Sequence, residues 1–254
     1  MQRTEIGTSI KKAKRLLDRS EIISIPTETV YGLAANGNNS QAIAKIYAAK
    51  KRPLSNPLIL HYKDASSAFE DVTIVPKDAE TLAEKFWPGP LTMLLPKKQT
   101  IPDSVTAGKK RVALRVPQHK LCLALLETLT YPIAAPSANL YGRISPTSPA
   151  HVKEQLNTRI PYILDGGICE KGIESTIIGF ENEAVIIYRL GSISIEEIEA
   201  CIQKKVGLKN KLESNQEVLT SGMVKHHYAP NTAMFSIAQK HEGKNLENCG
   251  FIGF

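Results

Sequence analysis

Ile22-Ile23-Ser24-Ile25-Pro26-Thr27-Glu28-Thr29-Val30-Tyr31-Gly32 is the stretch whose pattern decides how this chain folds. Four mostly apolar residues suit a short buried strand, and Pro26 ends it because proline has no N–H for a ladder. A dense polar cluster follows at once. The same arrangement recurs where Pro132-Ile133-Ala134-Ala135 runs into Pro136 and Ser137-Ala138-Asn139. Groups placed just past the ends of buried strands are where α/β proteins build ligand sites. With Lys50-Lys51-Arg52, these clusters hold cations, hydroxyls and an amide but no nucleophile–base pair. That is equipment for holding an anion such as a nucleotide.

Working outward, Thr8-Ser9 offers an N-cap for a helix through Leu17, with Ile10, Ala13, Leu16 and Leu17 on one face. Ser40 is expected to cap a second helix, with Ala42, Ile43, Ile46 and Tyr47 inward and Pro53 as its stop. Lys50-Lys51-Arg52 at its C-terminal end suits the helix dipole on a solvated face, and by itself that plain reading wins. Strands are expected at Leu58–Leu60 (leaving His61 at the end), Leu91–Leu95, Val112–Val116 and Tyr162–Leu164. Helices are expected over Lys77–Phe86, Leu121–Leu129 and from a Ser194 cap to about Lys205. Trp87-Pro88-Gly89-Pro90 reads as a rigid turn, and Ser175–Ile178 with Val185–Arg189 as a hairpin. The mixture points to an α/β (α+β) domain with a single twisted mixed sheet flanked by helices.

The chain has 254 residues, 42% hydrophobic and 22% charged, enough for one large domain, or one domain plus a smaller appendage, with a sizeable core. A net charge of +7 favours anionic partners, although a merely basic enzyme has the same balance. Cys122, Cys169, Cys201 and Cys249 lie far apart with no CxxC pair, so free thiols in a reducing compartment are expected. The N-terminus lacks an apolar signal-peptide core and no apolar run is long enough to span a bilayer, which implies a cytoplasmic protein without membrane contact. There is no P-loop, GxGxxG, HExxH or GxSxG pattern, and the histidines are not at metal spacing. No protein-held metal is therefore expected; Mg²⁺ would arrive with a nucleotide.

Residues 207–222 are polar and rich in Gly, Ser, Asn and Lys, which reads as a linker. The expected organisation is a main domain over 1–205, a linker over 206–232 that carries His227-Tyr228-Ala229-Pro230, and at 233–254 the start of a truncated or incomplete C-terminal domain.

The ordered set of motifs resembles the threonylcarbamoyl-AMP synthase family with its YrdC-like domain. It consists of Ser24–Leu33, Lys50–Leu58, Trp87–Thr92, Arg111–Pro117, Ala135–Asn139, Ser175–Ile177 and Arg189–Gly191, spanning roughly residues 8–205. The His-Tyr-Ala-Pro motif resembles that of the longer members, which carry a second domain. The resemblance implies a YrdC-like fold with a concave basic ligand cleft. It implies synthesis of L-threonylcarbamoyladenylate from L-threonine, bicarbonate and ATP with release of pyrophosphate, for a separate tRNA threonylcarbamoyl transferase. No residue is assigned a covalent catalytic role; placement and charge stabilisation would do the work.

The family signature KxR…SxN falls on Lys50, Arg52, Ser137 and Asn139, which implies triphosphate binding. Asn56, Arg111, Ser145 and Arg189 resemble ATP contacts, and Arg189 has the best physical case because it ends a strand. Thr29 falls in the implied threonine pocket with Thr27, His61, Ala135 (through its backbone) and Ser175, each of which has an ordinary structural reading as well. Arg115 in an apolar strand needs a partner, either an internal salt bridge or the threonine carboxylate. His227 and Tyr228 read as a linker anchor or a lid over ATP. An RNA-binding module without catalysis is the competing class, and the basic balance admits weak tRNA or RNA binding. Against it, the chain has no RGG run, RNP-type motif or Lys/Arg-dense tail. A hydrogenase-maturation carbamoyl-transfer domain would share the fold, but its Cys-rich zinc motifs are absent.

Overall fold

The computed structural model describes residues 3–209. The decisive stretch forms strand β2 (Ile23–Ile25), buried throughout. It is preceded by β1 (Glu5–Gly7) and helix α1 (Ile10–Asp18), whose N-cap Ser9 accepts a hydrogen bond from the Lys12 amide. Beyond the polar cluster the chain turns back as β3 (Gly32–Asn36), antiparallel to β2. The small residues of Gly-Leu-Ala-Ala-Asn hide this strand from a hydrophobicity reading. Helix α2 (Ser40–Lys50) follows, but its cap is Asn39 rather than Ser40: the Asn39 side chain accepts from the Gln41 and Ala42 amides.

After α2 come β4 (Ile59–His61), α3 (Ala65–Phe69), α4 (Lys77–Phe86), β5 (Leu91–Pro96), α5 (Asp103–Thr106) and β6 (Arg111–Arg115). Then follow α6 (Lys120–Glu127), β7 (Ile133–Ala134), α7 (Pro149–Leu156), β8 (Tyr162–Leu164), β9 (Thr176–Glu181) and β10 (Ala184–Arg189). Helix α8 (Ile195–Ile202), closed by a Ser194–Glu197 capping box, ends before Lys205. Strand β11 (Gly207–Leu208) pairs with β10 at the start of the expected linker. Helix α7 was not legible because Ser-Pro-Thr-Ser-Pro reads as loop. Ser148 caps it all the same, with Pro149 in its first turn, where no N–H is needed.

The strands join in one mixed sheet, ordered β1-β8-β2-β3-β7-β4-β6-β5-β9-β10-β11. Register decides its two faces. Ala134, Leu60, Leu114, Met93, Ile178 and Ile187 are successive cross-strand partners and all belong to the large core with α2, α4, α7 and α8. One residue along each strand the side chains point to the opposite face. There α1 and α6 cover the β8-β2-β3-β7 half of the sheet. The other half carries only a small apolar floor of Ile59, Leu94, Ala113, Ile177 and Tyr188. His61 and Arg115, paired with each other across β4 and β6, lie on this less covered face. Among the described residues no helix is long and apolar enough to cross a membrane.

Candidate active site

A cleft of about 480 Å³, open mouth included, lies over this floor. Residues from the ends of several strands converge on it. The loop between β2 and β3 supplies Thr27 and Thr29, β4 supplies His61, β6 supplies Arg115, and the segment after β7 supplies Ala135 and Ser137. Ser175 and Arg189 come from the β9–β10 hairpin, and Arg52 from the turn after α2. Three guanidinium groups thus face a cleft whose one carboxylate is Glu174, which makes it basic.

Arg115 is 4% exposed. Its Nη2 donates to Glu28 Oε1 at 2.6 Å and to Thr29 Oγ1 at 3.0 Å, and its Nε donates to the Gly89 carbonyl at 3.3 Å. The second Glu28 oxygen accepts from the Gln118 amide at 3.0 Å. The salt bridge is therefore present, yet it uses only one edge of the fork. Among the described residues Nη1 has no hydrogen-bond partner, so Arg115 serves the ion pair and still faces the cleft. The threonine hydroxyls form a chain: Thr27 Oγ1 donates to the Val30 carbonyl at 2.6 Å and lies 2.9 Å from Thr29 Oγ1.

The three residues Lys50-Lys51-Arg52 do not form a solvated face: Lys50 is 1% and Arg52 7% exposed, and only Lys51 is turned outward. The helical period explains this, since Lys50 lies four residues past Ile46 and three past Tyr47 on the buried stripe. Lys51 then takes a left-handed backbone conformation, which redirects the chain so that Arg52 turns back inward. Arg52 Nη2 donates to Asn56 Oδ1 at 2.7 Å and to the Pro57 carbonyl at 2.9 Å; Nε donates to the Asn56 carbonyl at 3.1 Å. Burial pulls Arg52 down to about 10, still cationic at neutral pH. Asn56 thus holds Arg52 from behind. Lys50 lies behind Ser137 in the same way, and burial followed by the nearby Arg52 charge pushes its pKa well below the usual lysine range.

On the opposite wall, Arg189 donates to the Ser175 carbonyl from Nε at 3.1 Å and from Nη2 at 2.9 Å, and Nη2 also reaches Ser175 Oγ at 3.0 Å. Arg189 Nη1 lies 3.5 Å from Glu174 Oε2, and Ser145 Oγ donates to Glu174 Oε1 at 2.8 Å. Thr92 Oγ1 is 2.8 Å from Ser175 Oγ. His61 is buried, and among the described residues its Nδ1 has no hydrogen-bond partner. Burial, followed by the Arg115 charge, holds its pKa at about 3, so the ring is neutral at pH 7.

All six residues expected to hold threonine line the cleft, as do Arg52, Ser137 and Arg189 of the ATP set. Lys50, Asn56, Asn139 and Ser145 do not; Lys50, Asn56 and Ser145 stand one contact behind Ser137, Arg52 and Glu174, and Asn139 is reached only through Lys50. Arg111 is not brought to the cleft. It begins β6 where Arg115 ends it, roughly 13 Å away along the strand, and its Nη1 is 3.9 Å from Glu181. His227, Tyr228 and nearly all of the expected linker and C-terminal piece lie outside the described residues. Sequence reading gave no role to Glu28, Glu174 or Thr92. The signal for Glu28 and Thr92 was their position inside the motifs Ser24–Leu33 and Trp87–Thr92, and for Glu174 its place directly before Ser175.

Comparison with known proteins decides the family. Residues 15–191 match the Sua5/YciO/YrdC family, described as "Telomere recombination". The chain belongs to that family. Residues 193–250 match "Threonylcarbamoyl-AMP synthase, C-terminal domain", a span that takes in α8 as well as the expected linker. A Bacillus subtilis protein named threonylcarbamoyl-AMP synthase is 45% identical over 232 residues, covering 91% of this chain and 66% of the relative. A Pyrococcus abyssi protein of the same name is 39% identical over 233 residues, covering 90% and 67%. The crystal structure of P. abyssi Sua5 complexed with L-threonine matches with a TM-score of 0.86 at 38% identity, covering 89% of this chain and 69% of that one. The chain thus spans about two thirds of the length of these Sua5-type relatives.

Proposed function

We propose that this protein makes L-threonylcarbamoyladenylate from L-threonine, bicarbonate and ATP, releasing pyrophosphate. The observation that carries the proposal is the cleft itself. Three arginines, a neutral histidine and several hydroxyls converge with no nucleophile–base pair, in a chain of the Sua5/YciO/YrdC family. The relatives' shared name and the L-threonine in the P. abyssi Sua5 structure point the same way.

In this reading Arg115 takes the threonine carboxylate through Nη1, while Glu28 fixes its other edge. Thr29, His61 and Ser175 surround the amine and hydroxyl. The amine adds to CO₂ derived from bicarbonate, forming an N–C bond and losing a proton. A carbamate oxygen then attacks the α-phosphorus of ATP; the new P–O bond forms as the bond to the β-phosphate oxygen breaks, and pyrophosphate leaves. Arg52, Arg189 and Ser137 hold the phosphates. A molecule carrying both a carboxylate and a carbamate must approach a polyanion, so the work consists of placement and charge stabilisation.

Among the described residues no three His, Cys, Asp or Glu side chains gather as a metal site. Glu174, the one carboxylate lining the cleft, and phosphate oxygens would form a donor set that suits Mg²⁺, which keeps most of its waters. The ion would be carried on the triphosphate and neutralise part of its charge. A separate tRNA threonylcarbamoyl transferase would take the product in the cytoplasm, where Cys122, Cys169 and Cys201 remain free thiols. Pyrophosphate release from ATP with Mg²⁺ and bicarbonate, with and without L-threonine and with serine as control, tests the proposal. Threonine-dependent release is expected; release independent of threonine, or none, overturns it.

A further inference from the structure

Lys50 belongs to the signature pair that suggests phosphate contact, but its ammonium is turned away from the cleft. Nζ donates to the Ser137 carbonyl at 2.5 Å, the Asn139 carbonyl at 2.5 Å and Asn139 Oδ1 at 3.3 Å. An ammonium has three protons and no acceptor, so these three oxygens use its full capacity. The Lys50 carbonyl accepts from the Tyr141 amide at 2.9 Å, which ties the far end of the same loop to the same residue. Asn139 Nδ2 completes the loop by donating to the carbonyls of Leu140 and Arg143. On its other side the loop runs beside β3, with the Ala138 amide donating to the Tyr31 carbonyl at 2.7 Å. Ser137 lines the cleft; Lys50 and Asn139 do not.

We propose that Lys50 is a positioning residue that clamps the 137–141 loop so that Ser137 faces the cleft, and that it makes no contact with nucleotide phosphate. Lysine fits this task better than a neutral residue would. The three oxygens it satisfies, two buried on Asn139 and one part-buried on Ser137, are all acceptors, and a buried acceptor without a donor is costly. The assignment of the nucleotide rests on the function proposed above; the clamp itself does not.

The clamp is tested first in the protein without substrates, by amide hydrogen exchange in wild type and Lys50→Met. Protection of the Ala138 and Tyr141 amides is expected to fall at least tenfold, while Leu60 and Leu114 in the sheet keep theirs. Unchanged protection of the loop overturns the clamp whether or not the protein uses ATP. In turnover, Lys50→Met is expected to raise the ATP KM on the order of tenfold or more and leave the threonine KM within about twofold, with partial rescue in Lys50→Arg. The loss should be equal at low and high salt; a loss that shrinks with salt marks direct phosphate contact and overturns the proposal. If Lys50→Met does not fold, the side-chain ¹⁵Nζ resonance of Lys50 in wild type decides. A resonance unmoved by ATP supports the clamp, and a large shift overturns it.

Discussion

Replacing Glu28 with alanine tests the hub of the cleft. Glu28 is 2% exposed, and Arg115 is 2.6 Å away and almost equally buried. Removing one partner of such a pair leaves an uncompensated charge away from water, at a cost of about 3–5 kcal/mol. The Gln118 amide loses its acceptor as well, which adds about 1 kcal/mol. For a chain of this size each kcal/mol lowers Tm by about 2–4 °C, so a drop on the order of 10 °C is expected. Urea unfolding followed by circular dichroism gives the free energy, and calorimetry gives Tm. High salt should change the loss little, because buried pairs are weakly screened. The double variant Glu28→Ala/Arg115→Met removes both charges and should recover about half of the loss or more. A destabilisation below about 1 kcal/mol, or a double variant less stable than the single, would refute the reasoning.

Arg115→Lys keeps a cation for Glu28 but loses the planar fork. Steady-state kinetics should show the threonine KM raised about tenfold or more with the ATP KM nearly unchanged, and equal effects on both substrates would sink the carboxylate assignment. His61 has a folded-state pKa of about 3 against 6.5 when unfolded, so the unfolded chain binds the extra proton between those values. Stability from this site is therefore complete above pH 6.5 and falls with acidification by up to ~1.4 kcal/mol per pH unit. Denaturation series on wild type and His61→Gln should diverge by ~2 kcal/mol at pH 5; parallel curves would contradict the buried, neutral ring. At Gly191 an added Cβ would lie 2.4 Å from the Glu174 carbonyl oxygen and 2.5 Å from Ser175 C and Thr176 N. Gly191→Ala must push that segment aside, costing about 1–3 kcal/mol and lowering kcat/KM for both substrates; a variant with wild-type Tm and kinetics would show that the hairpin yields freely.

Much of this protein was determined by local pattern. Short apolar runs closed by Pro26 and Pro136 mark strands with polar groups past their ends, and the strands, helices and hairpin expected from sequence formed to within a few residues, whereas β1, β3, β11, α3, α5 and α7 were not read from it. Thr27, Thr29, Arg52, His61, Arg115, Ala135, Ser137, Ser175 and Arg189 were legible as cleft residues through the family resemblance, whereas Glu174 was not. Tertiary structure decided what chemistry each charge is free to do. Nothing local says that Lys50 spends all its protons on the 137–139 loop, since those acceptors are 87 and 89 residues away in sequence. Arg115 could be given a salt bridge or a substrate from sequence; only the fold shows that Glu28 takes one edge and leaves the other toward the cleft. Arg111 shares a strand with Arg115, and strand length alone carries it to the other end of the sheet. The physical reason is common to all three. Secondary structure follows from the periodicity of neighbouring residues, whereas the partner of a buried charge is set by which distant strands pair and in what register.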